Sequence, residues 1–184
     1  MNLGIRILKW FLISYRNNLS KIKSICFSRS IDLGMGKIKF SDPYIKLKIK
    51  KKSEAIFHLE GILNITSHLG GKGEATIIIG KNARLDILND FSIGQNTQIY
   101  IADNAILSIV GKLKSSGAGI TCDTKIMVYK NVSIGADFIC DWNVFISDSD
   151  WHSIKNQNHH KDVIIGDNVW IANSYSILKG SIIG

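Results

Sequence analysis

Ile165-Gly166-Asp167-Asn168-Val169-Trp170, Ile171-Ala172-Asn173-Ser174-Tyr175-Ser176, Ile177-Leu178-Lys179-Gly180-Ser181-Ile182 and the closing Ile183-Gly184 place an isoleucine at every sixth position. The same step runs through Ile134-Gly135, Cys140-Asp141 and Ile146-Ser147. Between the two runs the phase slips, across Ser147-Asp148-Ser149-Asp150-Trp151-His152-Ser153-Ile154. A period of six fits neither an amphipathic helix nor an alternating strand. It fits a parallel β-helix, in which each hexad supplies a short strand and a corner. At ~3.3 Å per residue a hexad spans about 20 Å, and three of them close one triangular coil. The aliphatic residue points inward, and a small or acidic residue follows at the corner. No coil can bury its apolar face alone, so several must stack. The competing reading, a β-sandwich with coincidental spacing, does not account for so long and clean a run.

Working backwards, the rhythm persists with slips. Ile79-Gly80 and Leu85-Asp86 agree in phase, Ile93-Gly94 restarts late, and Ile101, Leu107 and Leu113 continue in a third phase before Ile120, Ile126 and Val132. Slips are expected where corners bulge or a loop is extruded, and five to seven coils are expected in all. Gly80-Lys81-Asn82 and Gly94-Gln95-Asn96 suit corners. Phe57, Leu59 and Ile62 with Gly61 suggest a first, irregular coil, and Pro43 a turn before the first strand. His58 and His68 have no evident partners.

The 184 residues are 45% hydrophobic, enough for one core. The charge is uneven. Residues 1–52 carry 13 Lys and Arg against 2 Asp and Glu, a net of +11, whereas the remainder nets −3. The chain is therefore read as a basic N-terminal helix with a lead-in strand over 1–52, followed by the repeat domain over 53–184. Leu8, Phe11, Leu12, Tyr15, Leu19 and Ile22 fall at helical spacing, so residues 1–23 read as a basic amphipathic helix. The run Trp10-Phe11-Leu12-Ile13 is too short to span a bilayer. Two readings stay open: the helix packs on the solenoid or on a neighbouring subunit, or it lies on an anionic membrane surface. No nucleic-acid motif accompanies the charge, and no nucleic-acid partner is expected. Cys26, Cys122 and Cys140 are few, odd in number and without metal-ligand spacing, which suits a reducing compartment. Cys140 holds an inward hexad position and reads as a core residue.

Ile165-Gly166-Asp167-Asn168-Val169-Trp170-Ile171-Ala172, with Ile177-Leu178-Lys179-Gly180 after it, resembles the hexapeptide-repeat acyltransferases. It looks most like the branch holding galactoside and maltose acetyltransferases and the O-acetyltransferases of bacterial surface polysaccharides. The resemblance covers roughly Leu85 to Gly184 and is specific for the superfamily, not for an acceptor. It implies an all-β fold, a left-handed parallel β-helix; that hand runs against the usual crossover rule and comes from the family alone. It also implies acetyl-CoA as co-substrate, no metal, a sugar or glycan acceptor, a homotrimer and a cytoplasmic location. With the basic helix, that location extends to the inner face of the membrane.

In that family a loop interrupting the coil before the motif carries a histidine general base, and the matching residue is His152. The chemistry is reasonable in itself. A sugar hydroxyl is a poor nucleophile near neutral pH, and a neutral imidazole can take its proton as attack begins. Backbone N–H groups can stabilise the resulting oxyanion, and holding both substrates together removes the need for an acyl-enzyme. Asp148 and Asp150 are the candidates to orient the imidazole or to bind acceptor hydroxyls. Trp170 matches the motif tryptophan beside the family's cleft, and Asn173 a position that contacts acetyl-CoA. Where the sugar acetyltransferases hold an acceptor-binding asparagine one coil earlier, the nearest residue is Asp123. His159 and His160 read as exposed loop residues.

Two other classes compete. A zinc enzyme of the γ-carbonic anhydrase type would draw on His152, His159 and His160, although their spacing departs from that family's pattern. A non-catalytic, truncated β-helix would serve only as a trimeric scaffold. Gly184 falls at a hexad corner, and solenoids normally end in a cap. The resemblance therefore leads to the expectation of a C-terminally shortened chain. No Gly-rich phosphate loop precedes the repeat, so a nucleotidyltransferase fusion is not expected.

Overall fold

The computed structural model describes residues 3–68, 71–152 and 158–184, with side chains from Leu8 onward. Helix α1 spans Leu3–Ser28 and is followed by eighteen short strands. They are laid down three per coil. The first coil is β1 (Lys37–Phe40), β2 (Lys46–Lys51) and β3 (Ile56–Leu59); the second is β4 (Ile62–Thr66), β5 (Glu74–Ile79) and β6 (Arg84–Ile87). The third holds β7 (Phe91–Gly94), β8 (Gln98–Ile101) and β9 (Ile106–Gly111), and the fourth β10 (Gly119–Ile120), β11 (Lys125–Val128) and β12 (Asn131–Ala136). The fifth has β13 (Ile139–Cys140), β14 (Phe145–Ser147) and β15 (Val163–Ile165), and the sixth β16 (Trp170–Ile171), β17 (Ser176–Ile177) and β18 (Ile182–Ile183).

Every third strand pairs in parallel, so the six coils make three six-stranded sheets. The first face is β1-β4-β7-β10-β13-β16, the second β2-β5-β8-β11-β14-β17 and the third β3-β6-β9-β12-β15-β18. The chain is a parallel β-solenoid. Its hexad residues stack in register: Phe40, Ile65, Ile93, Ile120, Cys140 and Ile171 form one column of the first face. All six are buried. The second face repeats this with Ile77, Ile99, Ile126, Ile146 and Ile177. Cys140 is wholly buried, and burial pushes its thiol up to about 12, so it is an inert core residue.

The corners explain the Asn and Asp distribution. Asn82, Asn96, Asn104, Asp123, Asp137, Asn143 and Asn168 all have φ between 52° and 63°. That left-handed conformation is tolerated best by Gly, Asn and Asp. Gly94 meets a different demand: a Cβ there would lie 1.4 Å from the Thr121 carbonyl oxygen of the next coil.

The N-terminal segment departs from the sequence reading in three places. The helix continues to Ser28, past residue 23. Pro43 lies between β1 and β2, not before the first strand. β1 and β2 pair with β4 and β5, so the first coil begins at Lys37 and Phe57 and Leu59 form only its last side. The charge boundary at residue 52 is thus not a boundary of the fold. The reason is that β2 alternates Lys46, Lys48 and Lys50 outward with Leu47 inward, so a strongly basic strand still supplies one buried face. The second half of α1 closes this end. Phe27 stacks against Phe40 at 5.3 Å, and Phe27 and Ile31 pack on the core. Lys23 donates to the carbonyls of Pro43 and Ile45, and Arg16 pairs with Asp42.

Candidate active site

The fifth coil is interrupted between β14 and β15, at the corner joining the second and third faces. The chain leaves at Asp148 and returns at Val163, and the neck of the excursion is built tightly. Ser149 and His160 form an antiparallel bridge. The Asp150 N–H donates to the His159 carbonyl at 2.8 Å, and the Lys161 N–H to the Asp148 carbonyl at 2.9 Å. Ser147, wholly buried, donates its hydroxyl to the Ser149 carbonyl and accepts the Trp151 indole N–H at 2.9 Å. That indole bond holds Trp151 with φ at 59°, a conformation unusual for a bulky residue. His152 follows at once and is exposed at the rim.

Beneath the loop, Tyr129 of the preceding coil serves as its floor. Its ring lies edge-on to Trp151 at 5.7 Å and to His159 at 4.9 Å, and tilted against His160 at 5.4 Å. His159 and His160 are therefore not the exposed loop residues that their polar surroundings suggested. They are half-buried, 4.9 Å apart, in an aromatic cluster. Lys179 of the sixth coil clamps the other side, pairing with Asp150 and donating to the Asn158 carbonyl at 2.9 Å.

This geometry reassigns Asp148. Its side chain is wholly buried, and its carboxylate accepts the backbone N–H groups of Tyr129, Lys130 and Asn131 at 2.6, 2.7 and 2.7 Å. Both oxygens are committed to the coil below, so Asp148 neither orients the imidazole nor reaches an acceptor. Asp150 is partly exposed at the rim, held by Lys179, and is the acidic group beside His152 that solvent reaches. Among the described residues no hydrogen bond is made to His152.

Asp123 stands apart from this loop within the chain. It sits at the corner between the first and second faces, with φ at 53°, and accepts a hydrogen bond from Asn96 at 2.8 Å. The position one coil below the loop is Tyr129, as the register Met127 to Ser147 dictates. Trp170 lies on the first face, two-thirds exposed, its indole N–H 3.3 Å from Asp141. Asn173 is exposed at the same corner as Asp123. The fold thus gathers Asp150, His152 and Lys179 at one corner, with Tyr129 below them, and puts Trp170 on the face opposite.

Tyr129, Ser147 and Lys179 were not singled out by sequence. The only signal for them was indirect: a hydroxyl or aromatic residue one coil from an extruded loop, visible once coil lengths are known. Among the described residues no group of three or more His, Cys, Asp or Glu side chains is arranged to hold a metal ion.

Comparison with known proteins gives one informative likeness. The chain is 30% identical over 124 residues to a polysialic acid O-acetyltransferase of Neisseria meningitidis, covering 57% of this chain and 56% of that one. It thus spans little more than half the relative's length. No protein-family profile matches the chain. No solved structure matches it. The parallel solenoid, its six-residue rhythm and this likeness together fit a hexapeptide-repeat acetyltransferase of the surface-polysaccharide O-acetyltransferase branch.

Proposed function

We propose that the protein is an O-acetyltransferase, moving an acetyl group from acetyl-CoA to a hydroxyl of a glycan or glycan precursor, with His152 as general base. One observation carries this reading: a rigid neck built from Ser147, Ser149, Tyr129 and Asp148 presents an exposed histidine at the edge of a solenoid face. A purely structural corner needs no such loop. The likeness to a polysialic acid O-acetyltransferase supports the same chemistry.

In this mechanism the neutral imidazole takes the acceptor hydroxyl proton while the oxygen attacks the thioester carbonyl carbon. The tetrahedral oxyanion is met by main-chain N–H groups. Its collapse breaks the carbon–sulfur bond, and the imidazolium returns the proton to the departing coenzyme A thiolate. Asp150, fixed by Lys179, is placed to bind an acceptor hydroxyl beside the base.

Trp170 and Asn173, if they bind the donor, cannot do so beside their own chain's His152, because they lie on the far side of the solenoid. A site using all three combines the loop corner of one chain with the first face of another. A cyclic trimer closes such a heterologous contact. The donor and the three unpaired cysteines suit a cytoplasmic location.

The experiment is transfer from isotopically labelled acetyl-CoA to a panel of glycans, polysialic acid and neutral oligosaccharides included, read by mass. The gain of one acetyl on a glycan hydroxyl is expected. Labelled donor left intact, or hydrolysed to acetate at the same rate with and without any acceptor, would sink the reading.

A further inference from the structure

The N-terminal helix carries an apolar stripe that its own domain leaves bare. At about 100° per residue, Leu8, Phe11, Leu12, Tyr15, Leu19 and Ile22 share one side of α1. Arg16, Ser20, Lys23 and Phe27, the side turned to the solenoid, lie roughly a third of a turn away. Leu8, Phe11, Leu12, Tyr15 and Ile22 are each more than half exposed, and so are Trp10 and Ile13. A globular domain normally turns such a stripe inward.

Charge decides what covers it. The helix holds five cations and no Asp or Glu. On the flank of α1 away from the stripe, a mostly apolar groove of about 700 Å³ against β1 carries Lys21, Arg29, Lys37 and Lys39 at its rim. Lys46, Lys48 and Lys50 continue the positive surface along the outer side of β2. A second copy seated here about a two-fold axis would bring two segments of net +11 together. An anionic lipid surface meets both demands, taking the apolar stripe into the acyl boundary and the cations against phosphate. No helix among the described residues is long and apolar enough to cross a membrane, which leaves a helix lying in the interface plane.

We propose that α1 docks the protein on the surface of anionic phospholipid membranes, with its apolar stripe in the acyl boundary and its cations against the lipid phosphates. The inference is independent of the acetyl-transfer reading.

The test is flotation of the full chain with vesicles of phosphatidylglycerol and phosphatidylcholine in equal parts, against phosphatidylcholine alone. Binding to the mixed vesicles only, weakened by added salt, is expected. The double variant Phe11→Asp, Leu12→Asp should lose binding. Lys9→Gln with Lys21→Gln should weaken it by about tenfold or more. These four side chains are exposed, so both variants should melt with the wild type; the lysine pair reads the charge term even if the acidic variant does not fold. Equal flotation on both lipids, or none on either, overturns the proposal. So does an acidic helix variant that dissociates an oligomer by light scattering while vesicle binding is unchanged, or binding to polyuridylate with none to vesicles.

Discussion

The Asp148 carboxylate accepts the Tyr129 main-chain N–H at 2.6 Å from inside the solenoid wall, and this bond ties the loop-bearing coil to the residue that floors the loop. Two more N–H groups share the same carboxylate. The wall and the neck that carries His152 therefore share this side chain. Asp148→Asn supplies a single acceptor oxygen and turns an unwanted N–H₂ toward the backbone. Leaving buried donors unmet costs ~1–3 kcal/mol, and each kcal/mol lowers the melting point by about 2–4 °C in a domain of this size. Acetyl transfer should fall with it, since the neck loses its base. Asp150→Asn, which breaks only a partly exposed pair with Lys179, should leave the melting point almost unchanged. Calorimetry of both variants checks this, and an Asp148→Asn protein as stable as the wild type would remove the carboxylate from the account.

His152→Ala should abolish transfer and leave the fold alone. The side chain is exposed and outside the inward columns, whereas loss of a general base costs ~10²–10⁴ in rate. Turnover and the melting point should be measured on the same preparation. Turnover above about a third of wild type would take His152 out of the mechanism.

The columns of the solenoid were legible from the sequence because an inward position in a stacked coil admits little besides Ile, Leu, Val, Phe or Ala, whatever its neighbours. Ile165, Ile171 and Ile177 announce that geometry by themselves. The extruded loop was legible for the complementary reason, as the place where the column rule stops. Partners across coils were not. Asp148 in a polar run reads like an active-site carboxylate until the coil below shows three N–H groups aimed at it. Asp123 came from matching the family's asparagine, and only the register shows that Tyr129 is the residue one coil below the loop. The alternation of Leu47 and Ile49 with Lys46, Lys48 and Lys50 was legible as a lead-in strand, but its pairing with β5, which makes it a side of the first coil, was not.

A second titrating group sits far from the loop. His58 on β3 bonds Asp86 through Nδ1 at 2.8 Å and Glu60 through Nε2 at 2.9 Å, and Arg84 grips Asp86 from the other side. The Glu60 and Asp86 hydrogen bonds hold the His58 imidazole above its ordinary range against a smaller opposing effect of burial. Its stabilising contribution is therefore complete below the unfolded value of about 6.5 and is lost as pH rises through the folded one. The carboxylates work in the other sense. Burial raises Asp86, but its bonds to Arg84 and His58 outweigh that and keep it low, and His58 chiefly keeps Glu60 low. Their contribution is present above the ordinary carboxylate range and is lost as pH falls through their folded values. The melting point should thus decline as pH rises above about 6.5 and through the raised folded value, and His58→Gln should flatten that decline. Superimposable curves for the two proteins would show that the network does not report on folding. The acetyl-transfer profile should be unmoved in the variant, because His58 is four coils from the loop.

The final prediction separates a site within one chain from a site between chains. His152 is at the corner of the second and third faces, and Trp170 stands outward on the first face, two-thirds exposed with only Asp141 beside its indole N–H. If one reaction needs both, each site takes its base from one subunit and its tryptophan from the next. His152→Ala and Trp170→Ala proteins should then each be impaired as pure oligomers. Unfolded and refolded together in equal amounts, they should regain activity, since any mixed cyclic trimer contains one junction where both wild-type residues meet. Random assembly makes about three-quarters of the trimers mixed and repairs one site in each, so recovery should approach about a quarter of the wild-type rate. Mixing without refolding should recover nothing. If the two proteins complement no better than their average after refolding, although mass measurement shows mixed oligomers, then Trp170 and His152 do not share a site. If Trp170→Ala alone retains full turnover and an unchanged KM for acetyl-CoA, its exposed indole serves something other than the donor.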